Sequence, residues 1–150
     1  MQTINPPLRL LASFTDAYGT TPTQILQVPG RDMWMAATVV ETGKICIVAP
    51  DLEARTTFDR RSARTQRSTT NRPLPRWATY CAGALLKLAY EQMELPGANI
   101  AIVGAEPSGP RYVYTLGMAF VAIVLNHFQQ EYDSDRLIDV IEAVRRDYIS

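Results

Sequence analysis

The sequence has little cysteine and histidine and no excess of charge of either sign. Its 150 residues include 2 cysteines and 1 histidine, too few for the disulfide framework of a small secreted domain. Fifteen lysines and arginines are balanced by fifteen aspartates and glutamates. A chain without net charge has no global field that draws it to nucleic acid or to a membrane, so such a partner would need a local patch.

A long apolar run is also missing from the beginning of the chain. Residues 1–10 contain one arginine and two prolines, which argues against a secretory signal or a membrane span there. A cytoplasmic location is therefore expected. Cys46 and Cys81 lie in apolar runs and are expected to be buried small residues rather than metal ligands. His127 has no ligand-type residue at metal spacing, so no metal site is predicted.

The spacing of apolar residues predicts a single α+β domain over residues 1–150. Leu8, Leu11, Phe14 and Tyr18 share one face of a short helix that Gly19 can end. Meandering strands are predicted at residues 25–28, 33–40, 44–48, 54–58 and 100–103. Further helices are predicted over residues 77–93, stopped by Leu-Pro-Gly at 95–97, over residues 112–130, and after a cap at Ser134 or Asp135. The middle one, apolar nearly all round, is expected to be a core helix.

Residues 60–75 form the one strongly charged segment. Together with Arg76 it holds six arginines and no acidic residue. Because the segment has almost nothing apolar to bury and ends in two prolines, it is predicted to be an exposed basic loop.

Four stretches, in order along the chain, resemble the N-terminal domain of galactokinases, which are GHMP kinases. They are residues 14–22 with the Val-Pro-Gly-Arg turn at 28–31, residues 43–50, residues 77–83, and residues 95–97 followed by Gly109. The resemblance covers about residues 8–148. It implies the two-layer α+β fold of that domain, with strands packed against helices.

The chain departs from this family where the sugar would bind. After Pro-Gly-Arg the family has Val-Asn-Leu-Ile-Gly-Glu-His-Thr-Asp-Tyr, whose polar side chains hydrogen-bond the sugar hydroxyls. Residues 32–41 instead read Asp-Met-Trp-Met-Ala-Ala-Thr-Val-Val-Glu, and each unpaired hydroxyl would cost about 1–3 kcal/mol. Arg31 is the remnant of the sugar site. It matches the family arginine that supports the catalytic aspartate, and it is expected to pair with Asp32, Glu41 or another acid.

A second departure lies where the phosphates would bind. The family's Gly-x-Gly-Leu-Ser-Ser-Ser-Ala-Ala opens a helix whose backbone amides cradle phosphates while a serine helps to hold Mg²⁺. Residues 109–117 read Gly-Pro-Arg-Tyr-Val-Tyr-Thr-Leu-Gly, in which Pro110 has no N–H to donate. Gly109, Arg111 and Thr115 stay as candidate nucleotide contacts. Arg111 either pairs directly with an anion or is a solvated cap residue.

The resemblance also assigns Trp77 and Tyr80 to the wall of an adenine pocket, with core packing as the alternative. The family's catalytic aspartate lies past the position that matches Ser150, so no catalytic residue is assigned. Phosphoryl transfer depends on positioning and on charge stabilisation. With the base, the phosphate cradle and the sugar contacts all missing, little catalysis is expected of the chain alone.

Three hypotheses about function follow. The first is a degenerate galactokinase-like domain, inactive alone, that acts through protein contacts or residual ligand binding, as a homo-oligomer or with a partner protein. The second is the N-terminal part or a subunit of an ATP-dependent sugar kinase completed elsewhere, with ATP and Mg²⁺ as cofactors. The third is nucleic-acid binding through the arginines, ranked last because the segment has no aromatic residue on which bases could stack. No membrane partner is expected.

Overall fold

The computed structural model describes residues 6–149, which form one five-stranded sheet packed against helices. The strands are β1 (Gln24–Gln27), β2 (Met33–Val39), β3 (Ile45–Ala49), β4 (Ala54–Phe58) and β5 (Ala98–Gly104). Their order across the sheet is β1-β2-β5-β3-β4. β5 runs antiparallel to β2 and parallel to β3. The strands therefore form two hairpins joined by β5, which local sequence patterns cannot reveal because this pairing is between distant segments.

Five α-helices are present among the described residues: α1 (Leu8–Tyr18), α2 (Arg60–Arg64), α3 (Thr79–Tyr90), α4 (Pro110–His127) and α5 (Ser134–Val144). α1 ends at Gly19, whose φ of 72° is a left-handed conformation that glycine adopts at little cost. The cap of α5 is Asp133, not Ser134 or Asp135, and its side chain accepts the Arg136 N–H at 2.9 Å. α3 ends before the predicted Leu-Pro-Gly stop, since Gln92 already turns the chain with a φ of 70°.

Helices cover both faces of the sheet. The main core lies between one face and the helices α3, α4 and α5, with Phe58 and Phe120 among its fully buried side chains. On the other face, Leu10 and Phe14 of α1 pack with Ala36, Ala101 and Val103. The predicted α+β class is confirmed, and α1 adds a helix on the second face.

The basic segment is more ordered than the predicted loop. Its first five residues form α2, whose capping box joins Asp59 Oδ1 to the Ser62 N–H at 2.7 Å and Ser62 Oγ to the Asp59 N–H at 3.0 Å. Ala63 and Leu74 are buried. The prediction of a loop over residues 60–75 is therefore wrong for residues 60–64, because two small apolar contacts and a cap suffice to fix a short helix.

α4 is the central helix of the core. Twelve of its 18 residues are buried, which confirms the prediction of a core helix. No helix within residues 6–149 has the length and the apolar character needed to cross a membrane. Cys81 is buried and Cys46 is half-buried, and both are free thiols.

Candidate functional site

A cleft of about 770 Å³ opens beside the beginning of α4. Four elements that are distant in sequence meet there: the 3₁₀ turns Pro50–Leu52 and Arg76–Ala78, the first residues of α4, and the π-helical turn Arg145–Ile149. Its walls are mainly apolar, and the lining residues are Leu52, Arg76, Trp77, Thr79, Tyr80, Gly109, Pro110, Val113 and Ile149. The cleft thus brings together three of the residues predicted to contact a nucleotide: Trp77, Tyr80 and Gly109.

Trp77 and Tyr80 both pack in the protein and border the cleft. Trp77 is 9% exposed. The Tyr80 ring meets Tyr114 edge-on, with 5.6 Å between ring centroids. α4 comes close to Tyr80 at Gly117, where an added Cβ would lie 2.6 Å from the Tyr80 Cβ. Trp77 and Tyr80 therefore take part in core packing and also line the cleft.

The loop before α4 carries a carboxylate at the predicted phosphate position. Glu106 Oε1 accepts the Arg111 Nε–H at 3.1 Å, and Glu106 Oε2 accepts the Asp32 N–H at 2.8 Å. The Glu106 side chain is 6% exposed. The hydrogen bond from Asp32, together with Arg111, lowers the pKa of Glu106 against the opposing effect of burial. The Arg111 side chain is 62% exposed and is thus both solvated and paired, and the Glu106 carboxylate offsets its charge.

A second carboxylate, Asp51, lies at the same end of α4. It accepts the Gly104 N–H at 2.8 Å and the Tyr112 hydroxyl at 2.6 Å, and it forms an ion pair with Arg9. Burial acts to raise the pKa of Asp51, but the hydrogen bonds from Tyr112, Arg9 and Gly104 outweigh it and hold the pKa below its ordinary value. Two ionised carboxylates therefore flank the segment between β5 and α4.

Arg31 and Thr115 are joined to each other. The Arg31 guanidinium donates to Thr115 Oγ1 at 2.9 Å, and the Thr115 hydroxyl donates to the Arg111 carbonyl at 3.0 Å. Arg31 therefore forms no ion pair with Asp32 or Glu41, although its charge contributes to the lowered pKa of another acid, Glu106. Thr115 is fully buried, so its hydroxyl serves the protein rather than an external ligand. A separate cleft of about 420 Å³ is lined by residues 27–32, including Arg31.

The hydrogen bond between Tyr112 and Asp51 gives a test of this geometry. Tyr112→Phe removes the donor and is expected to lower the unfolding free energy by about 1–2 kcal/mol at neutral pH, because the acceptor is charged. A depressed carboxyl pKa contributes stability above the unfolded value, near 3.9, and loses it as the pH falls through the folded value. The difference between variant and wild type should therefore shrink below about pH 4. Urea unfolding at neutral and acidic pH measures this difference in unfolding free energy. Asp51→Asn is the matched variant, because it removes the charge of the acceptor. A difference that is constant with pH would contradict the assignment of Asp51 as the charged acceptor.

Sequence reasoning missed Asp51, Glu106 and Tyr112. Asp51 lies two residues beyond the end of β3, and Glu106 lies two residues beyond the end of β5. Because β3 and β5 are parallel neighbours, their carboxyl ends meet at one edge of the sheet. Two acidic residues just after the ends of predicted strands were the signal from which this site could have been predicted. Among residues 6–149, no group of three or more metal-ligand side chains could hold a metal ion.

The fold defined by this sheet and these helices is that of the N-terminal domain of GHMP kinases. A solved galactokinase from Lactococcus lactis, complexed with galactose, superposes with a TM-score of 0.70 at 16% identity. The aligned region covers 94% of this chain and 42% of the galactokinase chain. The mevalonate kinase of Methanococcus jannaschii gives a TM-score of 0.56 at 12% identity, over 76% of this chain and 36% of its own. Another mevalonate kinase gives 0.57 at 12% identity, over 77% and 37%.

At these identities the similarity establishes the fold alone. The chain spans about two fifths of the length of the galactokinase that it resembles. No protein-family model matches the sequence, and no curated protein matches it.

Proposed function

We propose that this chain is a galactokinase-like domain that does not transfer phosphate by itself and that acts through residual ligand binding or protein contacts. The observation that carries the proposal is the ion pair between Glu106, in the loop before α4, and Arg111, in the first turn of α4. In a kinase of this fold, the triphosphate of ATP needs backbone N–H groups and positive charge at this place. Here a carboxylate takes up the positive charge, and Pro110 supplies no N–H.

Electrostatics supports the same conclusion. A nucleotide triphosphate placed at the head of α4 would lie near the ionised carboxylates of Glu106 and Asp51. Like charges at close range repel, and the repulsion is larger near the low-dielectric protein than in bulk water. Arg111 and Arg9 are already paired with these carboxylates, so they offer a triphosphate little net positive charge. The partial positive charge of the helix N-terminus contributes only about 0.3–1 kcal/mol toward an anion.

Calorimetric titration of ATP with Mg²⁺ and of adenosine tests the proposal. Because the triphosphate gains no contact in this geometry, ATP is expected to bind no more tightly than adenosine. Titration of galactose and other sugars in the presence of ATP should give no heat and no phosphorylated product. An intact galactokinase serves as the positive control. ATP binding tenfold or more tighter than adenosine binding, or a phosphorylated sugar, would refute the proposal.

The second candidate is a sugar-kinase subunit whose site is completed by other residues. The observation in its favour is coverage, since the similar galactokinase is more than twice the length of this chain. If another chain completes the site, this candidate, like contact with a partner protein, requires a stable complex. Light scattering over a range of concentrations is expected to show a mass above that of the single chain. A monomer at every concentration would count against a homo-oligomer, and only a partner chain would then remain.

A further inference from the structure

The strongest unassigned feature is the basic segment, defined here as residues 60–76. It carries six arginines and no acidic residue, in a chain whose net charge is +0. Arg60 pairs with Glu94, and Arg67 donates to the Asn71 carbonyl at 3.0 Å. Across residues 6–149, the structure gives no hydrogen-bond or ion-pair partner to the other four guanidinium groups, which are all exposed: Arg61, Arg64, Arg72 and Arg76. This segment is therefore a local concentration of uncompensated positive charge.

The backbone that displays these arginines is fixed by the rest of the domain. The Thr69 N–H donates to the Thr57 carbonyl of β4 at 2.9 Å, and the Leu74 N–H donates to the Gln66 carbonyl at 2.9 Å. The Gln66 amide donates to the Tyr148 carbonyl at 2.9 Å. A fixed backbone lowers the entropy cost of placing arginines on a ligand. The segment thus differs from a flexible solvated loop, in which like charges only repel and extend.

The segment ends at the apolar cleft. Arg76 lines the cleft together with the aromatic residues Trp77 and Tyr80. Ile149 also lines the cleft, and it follows Tyr148, whose carbonyl accepts the Gln66 hydrogen bond. One exposed guanidinium group of the segment, that of Arg76, therefore adjoins an opening that two aromatic residues border. The segment itself has no aromatic residue, but the tertiary structure places Trp77 and Tyr80 beside its last arginine.

We propose that this surface binds single-stranded polynucleotide, with phosphates on Arg61, Arg64, Arg72 and Arg76 and a base in the cleft beside Trp77 and Tyr80. Guanidinium groups donate two hydrogen bonds to a phosphate, and aromatic side chains take up bases of any sequence by stacking. Single strands are favoured over duplexes because a base must leave its stack to enter the cleft. The inference does not depend on the absence of kinase activity, since these phosphates lie on the arginines and not at the head of α4.

Fluorescence anisotropy with labelled dT12 and rU12 tests the proposal, and the two probes distinguish DNA from RNA. With four phosphate contacts, the affinity is expected to fall about 50-fold when salt is raised from about 50 to about 200 mM. The variant with all four arginines changed to glutamine should lose at least this factor at low salt. The control variant, with Lys44, Arg55, Lys87 and Arg136 changed to glutamine, removes equal charge elsewhere and should bind nearly as tightly as the wild type.

A cleft variant separates stacking from simple charge attraction. Val113→Glu places a carboxylate in the cleft, in the first turn of α4, where a negative charge is compatible with the helix. Binding should weaken about tenfold, while circular dichroism stays that of the wild type. Trp77→Phe, which keeps an aromatic ring in place, should weaken binding less.

Three results would overturn the proposal. One is no binding of either oligonucleotide at low salt. Another is equal binding of duplex DNA or heparin with no effect of Val113→Glu, which would show general attraction of polyanions. The third is binding to vesicles rich in phosphatidylserine without binding to the oligonucleotides, which would assign the arginines to a membrane surface.

Discussion

Phe120→Ala is expected to lower the free energy of unfolding by about 3–5 kcal/mol, the range for removal of a fully buried aromatic ring. Phe120 lies in the middle of α4 with 0% of its surface exposed, and its ring is 6.3 Å from the ring of Phe58 in β4. The residue therefore joins the central helix to the sheet. Truncation removes favourable burial and leaves a cavity that neighbours on two layers cannot close without moving strands or helices.

Urea denaturation of three variants measures this effect. Phe120→Leu keeps most of the volume and should cost less than about 1.5 kcal/mol. Tyr90→Ala removes an aromatic ring of similar size that is 86% exposed, and its effect should stay within about 0.5 kcal/mol. If Phe120→Ala and Tyr90→Ala had equal effects, the central position of α4 in the core would be wrong.

Gly104→Ala is expected to cost about 3 kcal/mol, a large effect for one added methyl group. The new Cβ would lie 2.3 Å from the Asp32 carbonyl oxygen and 2.8 Å from the Met33 Cα. Both neighbours are backbone atoms at the beginning of β2, so no side chain can rotate away. Relief requires β2 and β5 to separate where Met33 pairs with Gly104.

The consequences of this change should reach the candidate site. Gly104 donates its N–H to Asp51, and the displaced Asp32 donates its N–H to Glu106.

Gly43→Ala is the matched control. At Gly43, in contrast to Gly104, no atom lies within 4 Å of an added Cβ. Because its φ is 76°, alanine there would still bear a backbone strain of about 1–2 kcal/mol. Denaturation measures the stabilities, and hydrogen exchange at the Asp32 amide should rise in Gly104→Ala only. Equal costs for the two variants would contradict the close approach of the strands.

The ion pairs at the beginning of α4 are the reason why the proposed activity differs from that of the kinases with this fold. The sheet and helices match a galactokinase over nearly the whole of this chain, yet fold alone does not determine chemistry. Glu106 and Asp51 stabilise the protein by accepting backbone and side-chain hydrogen bonds at the head of α4. In the proposed function, the same two carboxylates engage the positive charge of Arg111 and Arg9, which the phosphates of a bound nucleotide would need.

The sequence by itself determined the local elements of this protein. All five strands and the helices α1, α3, α4 and α5 were predicted, with shifted ends, because spacing, glycine and proline act within a few residues of each other. The sequence also showed that a backbone donor is missing at Pro110, because proline has no N–H in any fold. α2 was missed because its cap and its buried Ala63 are weak signals inside a run of polar residues.

The tertiary structure alone decided which of these residues meet. Asp51 and Glu106 are 55 positions apart, and they reach one edge only because β5 inserts beside β3 in parallel. The pairing of Arg31 with Thr115 likewise depends on how the turn before β2 meets α4. The position of Arg76 beside the cleft depends on how the 3₁₀ turn before α3 packs against α4. Contacts between distant segments are selected by the burial of the whole core, and no short window of sequence contains that information.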